Sequence, residues 1–259
     1  MTRTGLIGHT GFVGTNLARQ ARFDATYNSS NIDSIASEEF DLLVCAGVRA
    51  EKWIANANPE ADRAQIDRLI QALSTVKARR AILISTVDVF MTPIEVDERT
   101  PVTTTGLHPY GTNRYYVEQA FAERFDTVVA RLAGLYGPGI KKNVIHDFLF
   151  DHETEKIDSR GVFQFYGLHR LWSDLQIALA NHLAIVHLPT EPVSVTDVAM
   201  AAFGRDFTNH VAPQPARYDV RTRHARLLGG RGHYIENQMA VLEGIRRFVD
   251  QERARPVRQ

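Results

Sequence analysis

Apolar runs of four or five residues alternate along the chain with longer stretches whose apolar positions recur every three or four residues. The short runs predict strands at Thr4–Ile7, Ala25–Asn28, Asp41–Cys45, Arg80–Ile84, Thr127–Arg131 and Ile185–Leu188. The longer stretches predict helices at Gly14–Arg22, Pro59–Thr75, Tyr110–Phe125, Asn143–Asp151, Leu171–Asn181 and Val195–Phe203. In the second of these, Ile66, Leu69, Ile70 and Leu73 fall at i, i+3, i+4 and i+7, one apolar face. Strand and helix taking turns in this way is the pattern of an α/β protein with a parallel sheet. One interval breaks the rhythm. Only 12 residues separate Asn28 from Asp41, too few for a full helix and strand, so a single turn around Asp33–Ser37 is expected there.

The N-terminal strand runs into Gly5-Leu6-Ile7-Gly8-His9-Thr10-Gly11-Phe12-Val13-Gly14, three glycines spaced by three with a helix following. Gly8 permits a tight turn, Gly11 lets the backbone approach a pyrophosphate, and Gly14 lets helix and strand pack closely. Free N–H groups and the positive dipole end of the helix then face the phosphates. The residues placed against such a dinucleotide are Gly8, Thr10, Gly11, Phe12, Val13 and Gly14. A glycine-rich turn without a ligand is the competing explanation, and the position between first strand and first helix counts against it.

Dinucleotide folds usually place an acidic residue about 20 positions further on, against the ribose 2′-hydroxyl. Here the second strand ends Asn28-Ser29-Ser30-Asn31, neutral and rich in donors. A 2′-phosphate would meet no carboxylate, and Asn28, Ser29 and Ser30 can donate to it. No arginine follows at once. The expectation is therefore NAD(P), with a slight preference for NADP; a plain turn explains the same residues.

Further on come Ala81-Ile82-Leu83-Ile84-Ser85-Thr86-Val87-Asp88, then His108-Pro109-Tyr110-Gly111-Thr112-Asn113-Arg114, then Arg131-Leu132-Ala133-Gly134-Leu135-Tyr136-Gly137-Pro138-Gly139. In this order, and with Thr190-Glu191-Pro192-Val193-Ser194-Val195, the motifs resemble those of the extended short-chain dehydrogenase/reductases, many of which act on nucleotide-activated sugars. The resemblance runs from the glycine loop to about Gly229. It implies a Rossmann-type parallel sheet flanked by helices with a small C-terminal substrate-binding lobe. Residues 1–137 would hold most of the NAD(P) domain and 138–259 most of the lobe, with Ile185–Leu188 returning to the sheet.

The resemblance assigns Thr86 as the hydroxyl that hydrogen-bonds the reacting oxygen and Tyr110 as the acid/base. It sets Ala46 and Gly47 against the cofactor ribose and Arg49 toward the cleft. Four residues beyond the tyrosine, on the same helix face, the family carries a lysine; this chain carries Arg114. Arginine keeps the positive charge that favours a tyrosinate and can bond a ribose hydroxyl. It cannot release a proton into a relay. Two functions follow: NAD(P)-dependent oxidation, reduction or epimerisation of a hydroxyl or keto group on a sugar-like, nucleotide-linked small molecule, or an NAD(P)-binding sensor or scaffold whose redox chemistry Arg114 impairs.

On the substrate side the candidates are Arg49, Asp88, Lys141, Asn143, Gln164, Tyr166 and Arg223. Lys141 and Lys142 fit a phosphate contact or a solvated loop equally. Phe163, Phe165 and Trp172 are read as packing. Arg223 belongs to a run of four arginines in ten residues (217–226), and relatives contact a substrate diphosphate in this region. A salt-bridged surface with Asp219 competes with that reading.

Composition removes other classes. Thirty Lys plus Arg against thirty Asp plus Glu leave no net charge, which argues against nucleic acid as a partner. No apolar run reaches membrane-spanning length and no leader pattern opens the chain, so a cytoplasmic protein is expected. The single cysteine, Cys45, excludes an internal disulfide and reads as core. The ten histidines, His146 and His152 among them, form no known ligand spacing, so no metal is expected. Relatives dimerise through the tyrosine helix, which implies a homodimer.

Overall fold

The computed structural model describes residues 3–255. They divide into two compact units that the chain visits alternately. The first unit comprises 1–91, 98–132 and 171–187, and the second 92–97, 133–170 and 188–259.

The first unit is a six-stranded parallel sheet built from β1 (Thr4–Ile7), β2 (Ala25–Tyr27), β3 (Glu39–Cys45), β4 (Lys77–Thr86), β5 (Thr127–Leu132) and β9 (Ile185–His187). Their order is β2-β1-β3-β4-β5-β9. The helices of this unit are α1 (Phe12–Gln20), α2 (Lys52–Ala57), α3 (Pro59–Ala72), α4 (Pro109–Arg124) and α6 (Leu171–Ala180). A sheet covered on both faces needs strands apolar on both sides, and every residue of β5 is buried. One face packs Ile7, Leu43, Cys45 and Leu83 against Ile66 and Leu69 of α3 with Leu73 just past its end, and against Val117 and Phe121 of α4 with Phe125 just past its end. Cys45 is part of this core, where burial pushes its thiol up to about 12.

The shortened interval after β2 contains one 3-10 turn, Ile32–Ile35, whose two isoleucines are buried and seal that end of the core. The strand order reverses between β1 and β3. Open α/β sheets bind ligands outside the carboxyl ends of the strands at such a switch point.

The second unit contains two small two-stranded sheets, β6 (Gly134–Tyr136) with β8 (Phe165–Gly167) and β10 (Val193–Ser194) with β7 (Val162–Phe163). Its helices are α5 (Val144–Phe150), α7 (Val195–Phe203) and α8 (Gln238–Arg253). Ser194 and Asp197 form a reciprocal capping box at the start of α7. No helix of the described residues is long and apolar enough to cross a membrane.

Candidate active site

Beyond the end of β1, Gly8 has φ +86 and donates its N–H to the Tyr27 carbonyl at 2.7 Å. A Cβ on Gly8 would stand 2.5 Å from the Ala46 carbonyl oxygen, and one on Gly14 would stand 2.0 Å from that of Gly8. Both glycines are thus demanded by contacts within the fold. Gly11 differs. It is exposed, and a Cβ there would meet only the Gly8 oxygen, at 3.3 Å. It is also the N-cap of α1 and provides no side-chain cap, so the first N–H groups of the helix stay open to a ligand. Phe12 and Val13 begin that helix, and Thr10 is exposed beside it.

At the end of β2 the loop is held by its own amides. Asn31 Oδ1 accepts the Asn28 N–H at 2.7 Å, and Asn28 Oδ1 accepts the Ser30 N–H at 2.9 Å and hydroxyl at 2.6 Å. Ser29 is exposed. His9 Nδ1 lies 3.0 Å from the Tyr27 carbonyl, so the glycine loop and the β2 end share one acceptor.

β4 ends at Thr86, whose hydroxyl accepts the Asp88 N–H at 3.1 Å and starts a 3-10 turn. α4 opens with Pro109 at its first position, behind an N-cap in which His108 Nδ1 accepts the Gly111 N–H at 2.9 Å. A Cβ on Gly111 would come within 2.4 Å of the Asp88 carbonyl, so the Thr86–Asp88 turn rests directly on the first turn of α4. Tyr110, 4 % exposed, donates its backbone N–H to Asn56 Oδ1 on α2 at 2.9 Å. Burial raises its phenol above the usual range. The Arg114 charge pulls it down, Asp88 pushes it up, and hydrogen bonding with Thr86 and with Arg114 lowers it again. The phenol is therefore the protonated, proton-donating form at neutral pH.

Arg114 is buried, with its guanidinium carbon 4.4 Å from the centre of the Tyr110 ring. Its Nη1 and Nη2 grip Asp62 of α3 at 2.9 and 2.8 Å, and Nη2 also bonds the Arg49 carbonyl at 2.5 Å. Asn113 Nδ2 adds a bond to Asp62 at 2.9 Å. Arg114 Nε is buried with no partner among the described residues. That orphaned donor and the open backbone at Gly11 are what a dinucleotide would occupy, so the residues present fit NAD(P).

Two further side chains complete this end of α4. Lys52 of α2 lies 2.8 Å from Asp88 Oδ1. His108 is held below its usual range by burial and by the Lys52 charge, against an opposing pull from Asp88. Two turns past Tyr110, Glu118 accepts Arg131 of β5 at 3.0 and 2.6 Å and the Ser85 hydroxyl at 2.5 Å, pinning α4 to β4 and β5.

The structure thus gathers Thr86, Tyr110 and Arg114, which the sequence reading groups, with Asp88, which that reading set on the substrate side, and adds Lys52, Asn56, Asp62 and His108, which it missed. The Asn58-Pro59 step, with Glu60 and Asp62 in the next turn, was the available signal that Asp62 opens a helix. Nothing local announces Lys52. Ala46 and Gly47 line the Gly8 turn, and Arg49 is exposed, joining the site through its carbonyl.

The candidates of the second unit fare differently. Gln164, 1 % exposed, is a clamp: Nε2 donates to the Thr190 and Val220 carbonyls at 2.6 and 2.8 Å, and Oε1 accepts the Val220 N–H at 2.7 Å. Its amide N–H groups are spent on the main chain, which corrects its assignment as a substrate contact. Tyr166 is fully enclosed and packs in the core, a second correction. Asn143, at φ 97, caps α5 by accepting the Ile145 and His146 N–H groups at 3.0 and 3.3 Å, and donates to the Leu135 carbonyl at 2.8 Å. Lys141 is exposed, and Arg223 is exposed with Nε 4.0 Å from Asp97. His146, Asp147 and His152 come together, both histidine Nδ1 atoms facing Asp147 Oδ1 at 2.9 and 3.5 Å, a contact the sequence spacing did not foretell.

No protein-family model matches the chain, and no curated protein sequence matches it. Solved structures do. An NAD-dependent NDP-hexosamine 5,6-dehydratase involved in tunicamycin biosynthesis superposes with TM-score 0.77 at 17 % identity, over 99 % of each chain. An RMD from Pseudomonas aeruginosa complexed with NADPH gives 0.74 at 18 % identity, over 97 % of this chain and 100 % of the other. A dTDP-4-dehydrorhamnose reductase from Clostridium acetobutylicum gives 0.73 at 14 %, over 97 % and 99 %. The Rossmann-type fold of this chain is therefore the fold of the extended short-chain dehydrogenase/reductases.

Proposed function

We propose that the protein is an NAD(P)-dependent enzyme that oxidises, reduces or epimerises a hydroxyl or keto centre on a nucleotide-linked sugar. The observation that carries this reading is the buried Tyr110 phenol, kept protonated beside Thr86 at the end of β4. A phenol so placed can give a proton to a carbonyl oxygen as that oxygen gains charge, and Thr86 can share the same oxygen. A nicotinamide held there would supply or accept the hydride. Gly11 and the start of α1 would hold its pyrophosphate, Arg114 Nε a ribose hydroxyl, and Asn28 and Ser29 the adenosine ribose. The neutral end of β2 favours NADP over NAD.

The structural relatives include a dehydratase, reductases and, in complex with UDP-glucuronic acid and NAD, MoeE5, which supports a nucleotide-sugar substrate. They also favour catalysis over the sensor alternative. A cytoplasmic homodimer, joined through α4, is the assembly we propose. The test is fluorescence titration with NADPH and NADH, followed by turnover of a nucleotide-sugar panel read by NMR. Tyr110→Phe should bind cofactor as the wild type does and lose turnover by about 10²–10⁴. A chain that binds neither nucleotide refutes the assignment.

A further inference from the structure

We propose that His146, Asp147 and His152 of the second unit form a metal site that takes a zinc-class dication through two imidazole nitrogens and one carboxylate oxygen. The proposal does not depend on the NAD(P) reading.

In the sequence the three stand at i, i+1 and i+6, a spacing that matches no familiar ligand motif, and the end of α5 is what joins them. Asp151 takes the left-handed conformation at the C-cap, φ 50 and ψ 43, and the chain turns back there. The Asp147 carbonyl then accepts both the Asp151 N–H and, at 2.9 Å, the His152 N–H. This brings the His152 ring to its own residue's neighbour in space, the Asp147 carboxylate, with its centroid 5.8 Å from that of His146. Phe150, one turn on, packs against the His146 ring with centroids 4.9 Å apart.

The distances suit a small dication. Both Nδ1 atoms face Asp147 Oδ1, at 2.9 and 3.5 Å, and the three ligand atoms lie within 4.8 Å of one another. Zinc holds nitrogen and oxygen ligands at about 2.0–2.1 Å, so neighbouring ligand atoms of its tetrahedron stand about 3.3 Å apart. The two measured separations fall on either side of that edge. His152, with 59 % of its side chain exposed, can swing to close the third. Its exposure also gives the ion an entry path and leaves the fourth position to water.

Charge points the same way. Asp147 pairs with no lysine or arginine among the described residues. The cations of this turn are engaged elsewhere, Lys156 with Glu153 and Arg205 with Asp151. Asp147, Asp151, Glu153 and Glu155 face a single lysine between 147 and 156, so the turn draws a dication. Two imidazoles beside one carboxylate suit zinc, cobalt or nickel, whereas magnesium and calcium take oxygen ligands. Without an ion each Nδ1–H donates to the carboxylate. With one, each imidazole carries its proton on Nε2 and turns the Nδ1 lone pair to the ion, which fastens the turn to α5.

The test uses the untagged full chain. Zinc titrated against a chromophoric chelator should reveal one site per chain of micromolar or tighter affinity. Cobalt(II) should give the visible bands of a tetrahedral nitrogen–oxygen site, and magnesium or calcium should not displace zinc. Changing an outer partner of a metal ligand already costs about 10–100-fold in affinity, so His152→Ala and His146→Ala, which each remove a ligand, should weaken zinc at least about 100-fold.

Because His152 is exposed, His152→Ala should keep the circular dichroism and melting temperature of the metal-free wild type. Zinc should raise the melting temperature of the wild type and leave that of His152→Ala unmoved. His182→Ala, which alters an exposed histidine of the first unit, should bind zinc as the wild type does. Wild-type affinity weaker than micromolar, or equal affinity in wild type and His152→Ala, overturns the site. The trio is then a carboxylate that accepts two N–H groups and nothing more.

Discussion

Arg114 has three of its hydrogen bonds directed away from the phenol, so a return to lysine there would not restore a relay. Lysine at 114 cannot reproduce the two-pronged grip on Asp62 and also reach the Arg49 carbonyl. Arg114→Lys should lose on the order of 1–3 kcal/mol in urea unfolding, with no gain in turnover. The glycines divide the same way, by what each one touches. Gly14→Ala drives a methyl into the Gly8 carbonyl and should yield little folded protein. Gly11→Ala should melt like wild type yet bind NADPH at least about tenfold more weakly, because on the proposed reading its methyl would stand where a pyrophosphate would lie. The raised phenol sets a pH profile as well. As the proton donor it is present at neutral pH and lost only above its ordinary value near 10, so the reductive rate should stay flat to about pH 10 and then fall. The oxidative rate should climb over the same alkaline range. Tyr110, Thr86 and the glycine spacing were legible because each sits in a local pattern. Asp62 and Lys52 were not, since Asp62 meets a partner 52 positions away and Lys52 one 36 away, and only the fold brings them together.

Among elements, length decided what could be read. The six sheet strands, set within short apolar runs, and six of the helices, which carry a period of their own, lie within a few residues of the predicted bounds. α2 has six residues, too few to show a face, and owes its position to tertiary bonds. β6, β7, β8 and β10 are two or three residues each and exist only as paired partners. α8 is a different failure. Val241, Ile245, Phe248 and Val249 are buried at i, i+4, i+7 and i+8, a clear apolar stripe that Arg246 and Arg247 interrupt in the sequence. The cost of disturbing α2 can be measured. Asn56 satisfies the backbone N–H of Tyr110 in the first turn of α4, a service equivalent to a helix cap. Asn56→Ala should lower stability by about 1 kcal/mol in urea unfolding and reduce turnover while NADPH affinity holds.

For the whole molecule the decisive fact is that the chain leaves the sheet and comes back. The first unit needs 171–187 as much as it needs 1–91. β9 pairs with β5 from Val129 to Arg131, His187 lies 3.4 Å from the buried Arg131 guanidinium, and its N–H bonds Glu98 at 2.9 Å. α6 adds the Trp172 N–H to Gln20 on α1 at 3.1 Å. Cutting the chain after residue 137 removes all of this. It exposes β5, buried along its full length, as an apolar edge with unpaired N–H and carbonyl groups, the condition that favours association over folding. Fragment 1–137 should therefore lack a cooperative urea transition by circular dichroism, elute as aggregate, and bind no NADPH, although every glycine-loop residue is present. A fragment that unfolds cooperatively as a monomer would mean that the sheet closes without β9. The nucleotide site would then be separable from the rest of the chain.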